Sequence, residues 1–219
     1  MAPTSQIICD FLRVARVHTR QFSQTLSDAM IKKFGKDPFK ILCSCLISLR
    51  ARDTVTTPLC LDFFSRVSTP EQLRDLPAQE IEKAFYSVGF YKTKARVLQR
   101  VAAQLCDQFE GRVPSTVDEL LLLHGVGRKT ANLVVAMAFD RPAICVDVHV
   151  HRIANLLGWV KTKTPEETEF ALQKLVPQEL WSEINRQLVL AGQNGCMMQK
   201  KSGHECPLTV FLGMVTLRQ

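Results

Sequence analysis

The chain has 219 residues, 46% of them hydrophobic, and a formal net charge of +7. That is enough apolar material for the cores of one or two globular domains. The positive net charge favours an anionic partner, most simply nucleic acid, although a ribosome-associated or membrane-surface protein would carry a similar charge. No apolar run reaches the length of a membrane span, and the N-terminus lacks the layout of a secretory signal. We therefore expect an intracellular protein without a membrane segment.

Helix signals recur along the chain, and the alternation typical of strands is nearly absent. Apolar residues follow helical spacing in three segments: 39–46, 97–105 and 133–137. Two helix starts share a capping threonine followed by proline: Thr69-Pro70 and Thr164-Pro165. Ser115 with Asp118 predicts the start of a further helix that runs towards Gly125. The chain is therefore predicted to be all-α, and without a long linker any two domains must pack closely.

The most informative segment is LHGVGRKTA, which begins at Leu123. Its two glycines predict a tight hairpin between two helices, where backbone N–H groups and a helix N-terminus can meet a phosphate. The predicted phosphate contacts are Gly125, Val126, Gly127, Arg128 and Thr130. Lys129 lies on the first turn of the second helix, and a separate segment brings the carboxylate of Asp147 eighteen positions later.

These segments resemble the endonuclease III family of helix-hairpin-helix DNA glycosylases. LLHGVGRKTANLVVAMAF is similar to the family hairpin, including its lyase-type lysine, and AICVDVHVHRI resembles the segment with the family aspartate. The similarity runs from about Phe39 to about Cys206. It implies a six-helix barrel, here 32–141, inserted into a second helical domain formed by 1–31 and 142–219, with DNA bound in the cleft between them.

The chemistry of base removal explains why a lysine and a carboxylate are needed. A carboxylate near C1′ stabilises the positive charge that develops on the sugar, and an unprotonated amine attacking C1′ forms a Schiff base that permits elimination of the 3′ phosphate. The predicted catalytic residues are Lys129 as nucleophile and Asp147 as the carboxylate. Asp147 can in addition cap a helix.

Two further segments resemble the loops that fill the gap left by an extruded nucleotide. In LISLRARD, Arg50 stands where the family has glutamine, and a guanidinium can stack on neighbouring bases and hydrogen-bond the orphaned partner. In VGFYKTKA, Phe90 takes the inserted position, and Lys92 and Lys94 are expected to contact phosphates. The alternative for Phe90 is a place in the core.

The eight cysteines are expected to form no disulfides. The family's iron–sulfur spacing, C-x6-C-x2-C-x5-C, matches only Cys196 and Cys206, because Gly203 and Leu212 take the other two positions. We therefore predict no cluster and no metal. A substitute zinc site using His204 with both cysteines is the weaker alternative to two unligated thiols.

The resemblance implies a base excision repair glycosylase with abasic-site lyase activity that removes oxidised pyrimidines from duplex DNA. Two alternatives remain: a glycosylase for thymine or uracil mismatched with guanine, and a helix-hairpin-helix DNA-binding protein without catalysis. The expected partner is double-stranded DNA carrying a damaged base or an abasic site, bound by a monomer. The expected location is the cytoplasm, in association with the nucleoid, or a nucleus.

Overall fold

A computed structural model describes residues 5–22, 25–196 and 206–212. Within these ranges the regular structure is entirely helical, which confirms the all-α prediction. The α-helices in chain order are α1 (Ser5–His18), α2 (Leu26–Phe34), α3 (Pro38–Ser48), α4 (Asp53–Arg66), α5 (Pro70–Asp75), α6 (Ala78–Ala84), α7 (Tyr91–Phe109), α8 (Val117–Leu120), α9 (Arg128–Phe139), α10 (Val148–Leu156), α11 (Pro165–Leu175) and α12 (Trp181–Gln193). Short 3-10 turns occupy Thr19–Gln21, Gln178–Leu180 and Pro207–Thr209.

Side-chain caps explain where several of these helices begin. Thr69 and Thr164 each accept a hydrogen bond from a backbone N–H in the first turn, as the sequence predicted for α5 and α11. Helix α8 is capped by Thr116, so the predicted start at Ser115 is wrong by one residue. The reason is that Glu119 stands three residues after Thr116, where its backbone N–H donates to the threonine hydroxyl and its carboxylate accepts from it.

The helices fall into two units, which we call the middle unit (Gln24–Arg141) and the terminal unit (Met1–Ser23 with Pro142–Gln219). Helix α2 belongs to the middle unit because it packs against α3 and α4. None of the helices in the described ranges is long and apolar enough to cross a membrane.

Helix α3 is the centre of the middle unit. It packs against α2, α4, α7 and α9, and its residues from Phe39 to Ile47 are all buried. Helix α7 in turn packs against α5 and α6. Three rings pack in a row beside them, with Phe63 contacting both Phe64 and Phe85 at centroid distances of 5.1 and 4.9 Å. This packing gives α9, which follows the glycine hairpin, a buried partner in α3.

The terminal unit brings the two ends of the chain together. Helix α1 packs against α12 and against the 3-10 turn at 207–209, and α12 packs against α10. Phe11 of α1 is fully buried between Trp159 and Phe211, with ring centroids 5.0 and 5.2 Å away. Arg16, on the same helix as Phe11, donates two hydrogen bonds of 2.6 Å to the carboxylate of Glu183 on α12.

Candidate active site and DNA-contacting loops

The two hairpin glycines have different roles in the connection between α8 and α9. Gly125 has a φ of +78°, and a Cβ atom there would come within 3.0 Å of Cγ1 of Val97, so both the backbone conformation and the packing require glycine. Gly127 caps α9 with an ordinary φ of −95°, and a Cβ atom there would meet nothing within 4 Å. Gly125 therefore maintains the turn, while Gly127 leaves open space at the start of α9.

Lys129 is exposed on the first turn of α9, directly after this open position. Helix α9 packs against α3. Burial raises the pKa of the Cys45 thiol to about 11, and the charge of Lys129 partly opposes the rise. The lysine therefore lies close to the C-terminal half of α3, whose end leads into Arg50.

The other predicted hairpin contacts divide by burial. Arg128 is half-buried, whereas Val126 and Thr130 have side chains that are 7% and 3% exposed. The side chains of Val126 and Thr130 thus belong to the core, and the backbone N–H of Val126 is already engaged because it donates to the carbonyl of Leu123 at 3.1 Å. Because Gly127 has no side chain, the cap itself supplies no acceptor to the first-turn N–H groups of α9.

Asp147 follows the extended segment 142–146 and caps α10, as the sequence predicted for its structural role. The backbone N–H groups of His149 and Val150 both donate to its Oδ1 atom at 2.9 Å. The side chain is half-buried, and these two bonds fix its orientation while leaving Oδ2 outside the capping pair. Asp147 lies in the terminal unit and Lys129 in the middle unit, so their predicted convergence stays a prediction.

Arg50 and Phe90 share an unusual backbone conformation. Their φ angles are +55° and +62°, in the left-handed region that side chains rarely adopt. Both are exposed, and Phe90 is 68% accessible to solvent, so the alternative of a core aromatic is wrong. Two bulky exposed side chains held in a costly conformation are typical of loops with a function beyond packing.

The two lysines after Phe90 differ in their surroundings. Lys92 is exposed, as a phosphate contact requires. Lys94 is only 8% exposed, and its ammonium donates a 2.7 Å hydrogen bond to the carbonyl of Ile47 near the end of α3. The predicted phosphate contact at Lys94 is therefore wrong, because the side chain caps a helix C-terminus inside the middle unit. Burial also lowers the pKa of Lys94.

The cysteine positions do not fit the family's four-thiolate iron–sulfur set. Leu212 has no ligating atom, and Gly203 lies outside the described residues and as glycine has no side-chain donor. All eight cysteines have free thiols. Cys196 and Cys206 nevertheless lie together with His18, and their ligand atoms are all within 4.8 Å of one another. Sequence spacing missed His18 because it is 178 positions from Cys196. The predicted partner His204 lies outside the described residues.

Comparison with known proteins places this geometry in context. Residues 43–178 match the model of the HhH-GPD superfamily of base excision DNA repair proteins. Endonuclease III of Thermotoga maritima is 41% identical over 188 residues, which cover 84% of this chain and 88% of that protein. Endonuclease III of Bacillus subtilis is 35% identical over 173 residues, which cover 78% of this chain and 79% of that protein.

A solved structure of a non-covalent endonuclease III–DNA complex is similar over all of both chains. Its TM-score is 0.82 at 32% sequence identity. The fold assigned from the sequence is therefore confirmed over the whole length of that relative.

Proposed function

Since this chain belongs to the endonuclease III family within the HhH-GPD superfamily of base excision DNA repair proteins, we propose that it is a DNA glycosylase with abasic-site lyase activity that uses Lys129 and Asp147. The observation that carries the proposal is the exposed amine of Lys129 on the first turn of α9, beside an N-cap with no side chain. A phosphate bound by the amides of that turn would bring a deoxynucleotide within reach of the amine.

The reaction proceeds in two parts. The lone pair on Nζ of Lys129 attacks C1′ as the bond between C1′ and the base breaks, and the base leaves with the bonding electrons and takes up a proton. The carboxylate of Asp147 stabilises the positive charge on the sugar and accepts the proton that the bound amine loses. The sugar ring then opens, and a Schiff base forms at C1′.

Strand cleavage follows from the Schiff base. The positively charged imine acidifies the C2′ proton, and its removal drives the breaking of the bond from C3′ to the phosphate oxygen, which keeps the electron pair. Water then hydrolyses the imine and regenerates the free amine of Lys129. The fixed orientation of Asp147, which caps α10 through Oδ1, suits a carboxylate that has to hold its charge in one place.

Extrusion of the damaged nucleotide is assigned to Arg50 and Phe90. Both are exposed on short loops, next to the start of α4 and at the N-cap of α7. Lys92 and the hairpin amides supply contacts to the DNA backbone that do not depend on sequence, so affinity should fall steeply with salt. The protein is proposed to act as a monomer on duplex DNA in the compartment that holds the chromosome.

Oxidised pyrimidines are the proposed substrates, and a mismatched thymine or uracil is the second candidate. The second is favoured by one observation, the arginine at position 50, where the family has glutamine. A guanidinium offers only donors to the orphaned base, whereas an amide offers a donor and an acceptor, so the preferred opposite base is expected to change.

Borohydride trapping tests the chemistry directly. Duplexes carrying thymine glycol, a thymine opposite guanine, or an abasic site would be incubated with the protein and borohydride. We expect a covalent adduct with the thymine glycol and abasic duplexes, and its loss in Lys129→Gln. An adduct that persists in Lys129→Gln would refute the assignment of the nucleophile. An adduct with the mismatched duplex but not with thymine glycol would establish the second candidate.

A further inference from the structure

The terminal unit contains a cluster of ligand atoms outside the proposed active site. It consists of His18 at the end of α1, Cys196 shortly after α12, and Cys206 just before the 3-10 turn at 207–209. The Nε2 atom of His18 lies 3.3 Å from Sγ of Cys196 and 3.7 Å from Sγ of Cys206. The first helix and the C-terminal part of the chain therefore bring one imidazole nitrogen and two thiols together.

The spacing of these atoms fits a tetrahedral zinc ion. With Zn–S bonds of about 2.3 Å and Zn–N bonds of about 2.0 Å, two ligand atoms on the same ion are separated by roughly 3.5 to 3.8 Å. The two distances from Nε2 of His18 fall close to that range. One imidazole and two thiolates are also the donor types that zinc prefers, and two thiolates neutralise its charge, which limits the cost of burial.

The surroundings hold the ligands in place. Cys196 and Cys206 are 4% and 6% exposed, and His18 is half-buried. Phe22 packs edge-on against the imidazole ring of His18, with the ring centroids 5.2 Å apart.

We propose that His18, Cys196 and Cys206 bind one Zn²⁺ ion, with a water molecule as the fourth ligand. The ion would join α1 to the C-terminal part of the chain and so stabilise the terminal unit without a four-thiolate cluster. A groove lined by Arg13, Val14, Val17, His18 and Pro207 opens beside the histidine. The proposal replaces the prediction of two unligated thiols and is independent of the catalytic assignment.

The test is the metal content of the full-length chain, produced in zinc-supplemented medium and purified without chelator. We expect about one zinc per chain by elemental analysis. His18→Ala, Cys196→Ser and Cys206→Ser should each lose most of it. Cys9→Ser is the matched control because Cys9 also lies on α1 and is not part of the cluster, and it should keep its zinc. Circular dichroism of each variant separates a lost ligand from a lost fold.

A second measurement covers the case in which the variants do not fold. Cobalt added to the metal-depleted wild-type protein should give the thiolate-to-cobalt charge-transfer band and the visible bands of a tetrahedral site. Iron with inorganic sulfide in the purified protein would overturn the proposal. So would zinc that stays in all three folded variants, or a wild-type protein that takes up neither zinc nor cobalt while both cysteines remain reduced.

Discussion

Replacing Lys94 by methionine should destabilise the middle unit. It should leave the slope of log DNA affinity against log salt unchanged. The variant keeps the apolar stem but removes the ammonium that donates to the carbonyl of Ile47. Loss of a buried hydrogen bond of this kind costs about 1–3 kcal/mol. For a chain of this size that free energy corresponds to a fall in Tm of roughly 2–12 °C.

Lys92→Met is the matched control, since Lys92 lies two residues away on the same helix and is exposed. Its Tm should stay unchanged, while the slope of log affinity against log salt should become shallower by about 0.9, the value for one phosphate contact. The two lysines should therefore separate stability from DNA binding. A Lys94→Met variant with wild-type Tm and a shallower salt slope would refute the structural role of Lys94.

The dependence of stability on alkaline pH is a further test of Lys94. Burial lowers the pKa of Lys94 from its ordinary value of 10.5, so the folded state loses this proton at a lower pH than the unfolded state. The contribution of Lys94 to stability should therefore rise as pH increases from the lowered pKa to the ordinary value of 10.5. In chemical denaturation, the difference between wild-type and Lys94→Met should grow over that interval, and a constant difference would contradict the pKa shift.

Substitutions at four other positions test the loops and the carboxylate. Gly125→Ala should cost at least about 1–2 kcal/mol, because alanine must adopt a positive φ and approach Val97. Gly127→Ala should cost less, about 0.5–1 kcal/mol, because alanine is a poorer N-cap but meets no steric conflict there, and it should weaken DNA binding in a filter or fluorescence assay. Asp147→Asn should keep its helix cap and its Tm but lower the rate of base excision about 100-fold or more. Asp147→Ala should in addition lose about 1 kcal/mol of stability. Full activity in the asparagine variant would exclude a role for the charge. Arg50→Gly should not lower Tm, because glycine relieves a strained φ, yet it should lose excision from duplexes; a marked fall in Tm would show that Arg50 has a structural role instead.

Local signals in the sequence were sufficient for the hairpin and for the cap of α10. The glycines around Val126 and the position of Asp147 before a helix each specify a backbone conformation that depends on a few neighbouring residues. The same holds for the threonine caps, where an error of one residue at α8 arose because two adjacent side chains offer similar capping patterns.

Features that depend on tertiary packing were harder to predict. Lys94 stands four residues before Leu98, on the face of α7 that is buried, so helical spacing already contained a signal against an exposed lysine. No comparable signal exists for His18, because its neighbours Cys196 and Cys206 come from the other end of the chain. The sequence likewise contained no signal for the left-handed conformations of Arg50 and Phe90, since neither residue type favours a positive φ.

The order in which the chain is synthesised bears on how the terminal unit folds. Helix α1 is synthesised well before its packing partners, α12 and the turn at 207–209. The middle unit can therefore form while the apolar face of α1, including Phe11, has nothing of its own unit to cover it. Contacts between residues that are far apart in sequence form slowly. We therefore expect nascent chains halted after residue 141 to recruit chaperones through α1.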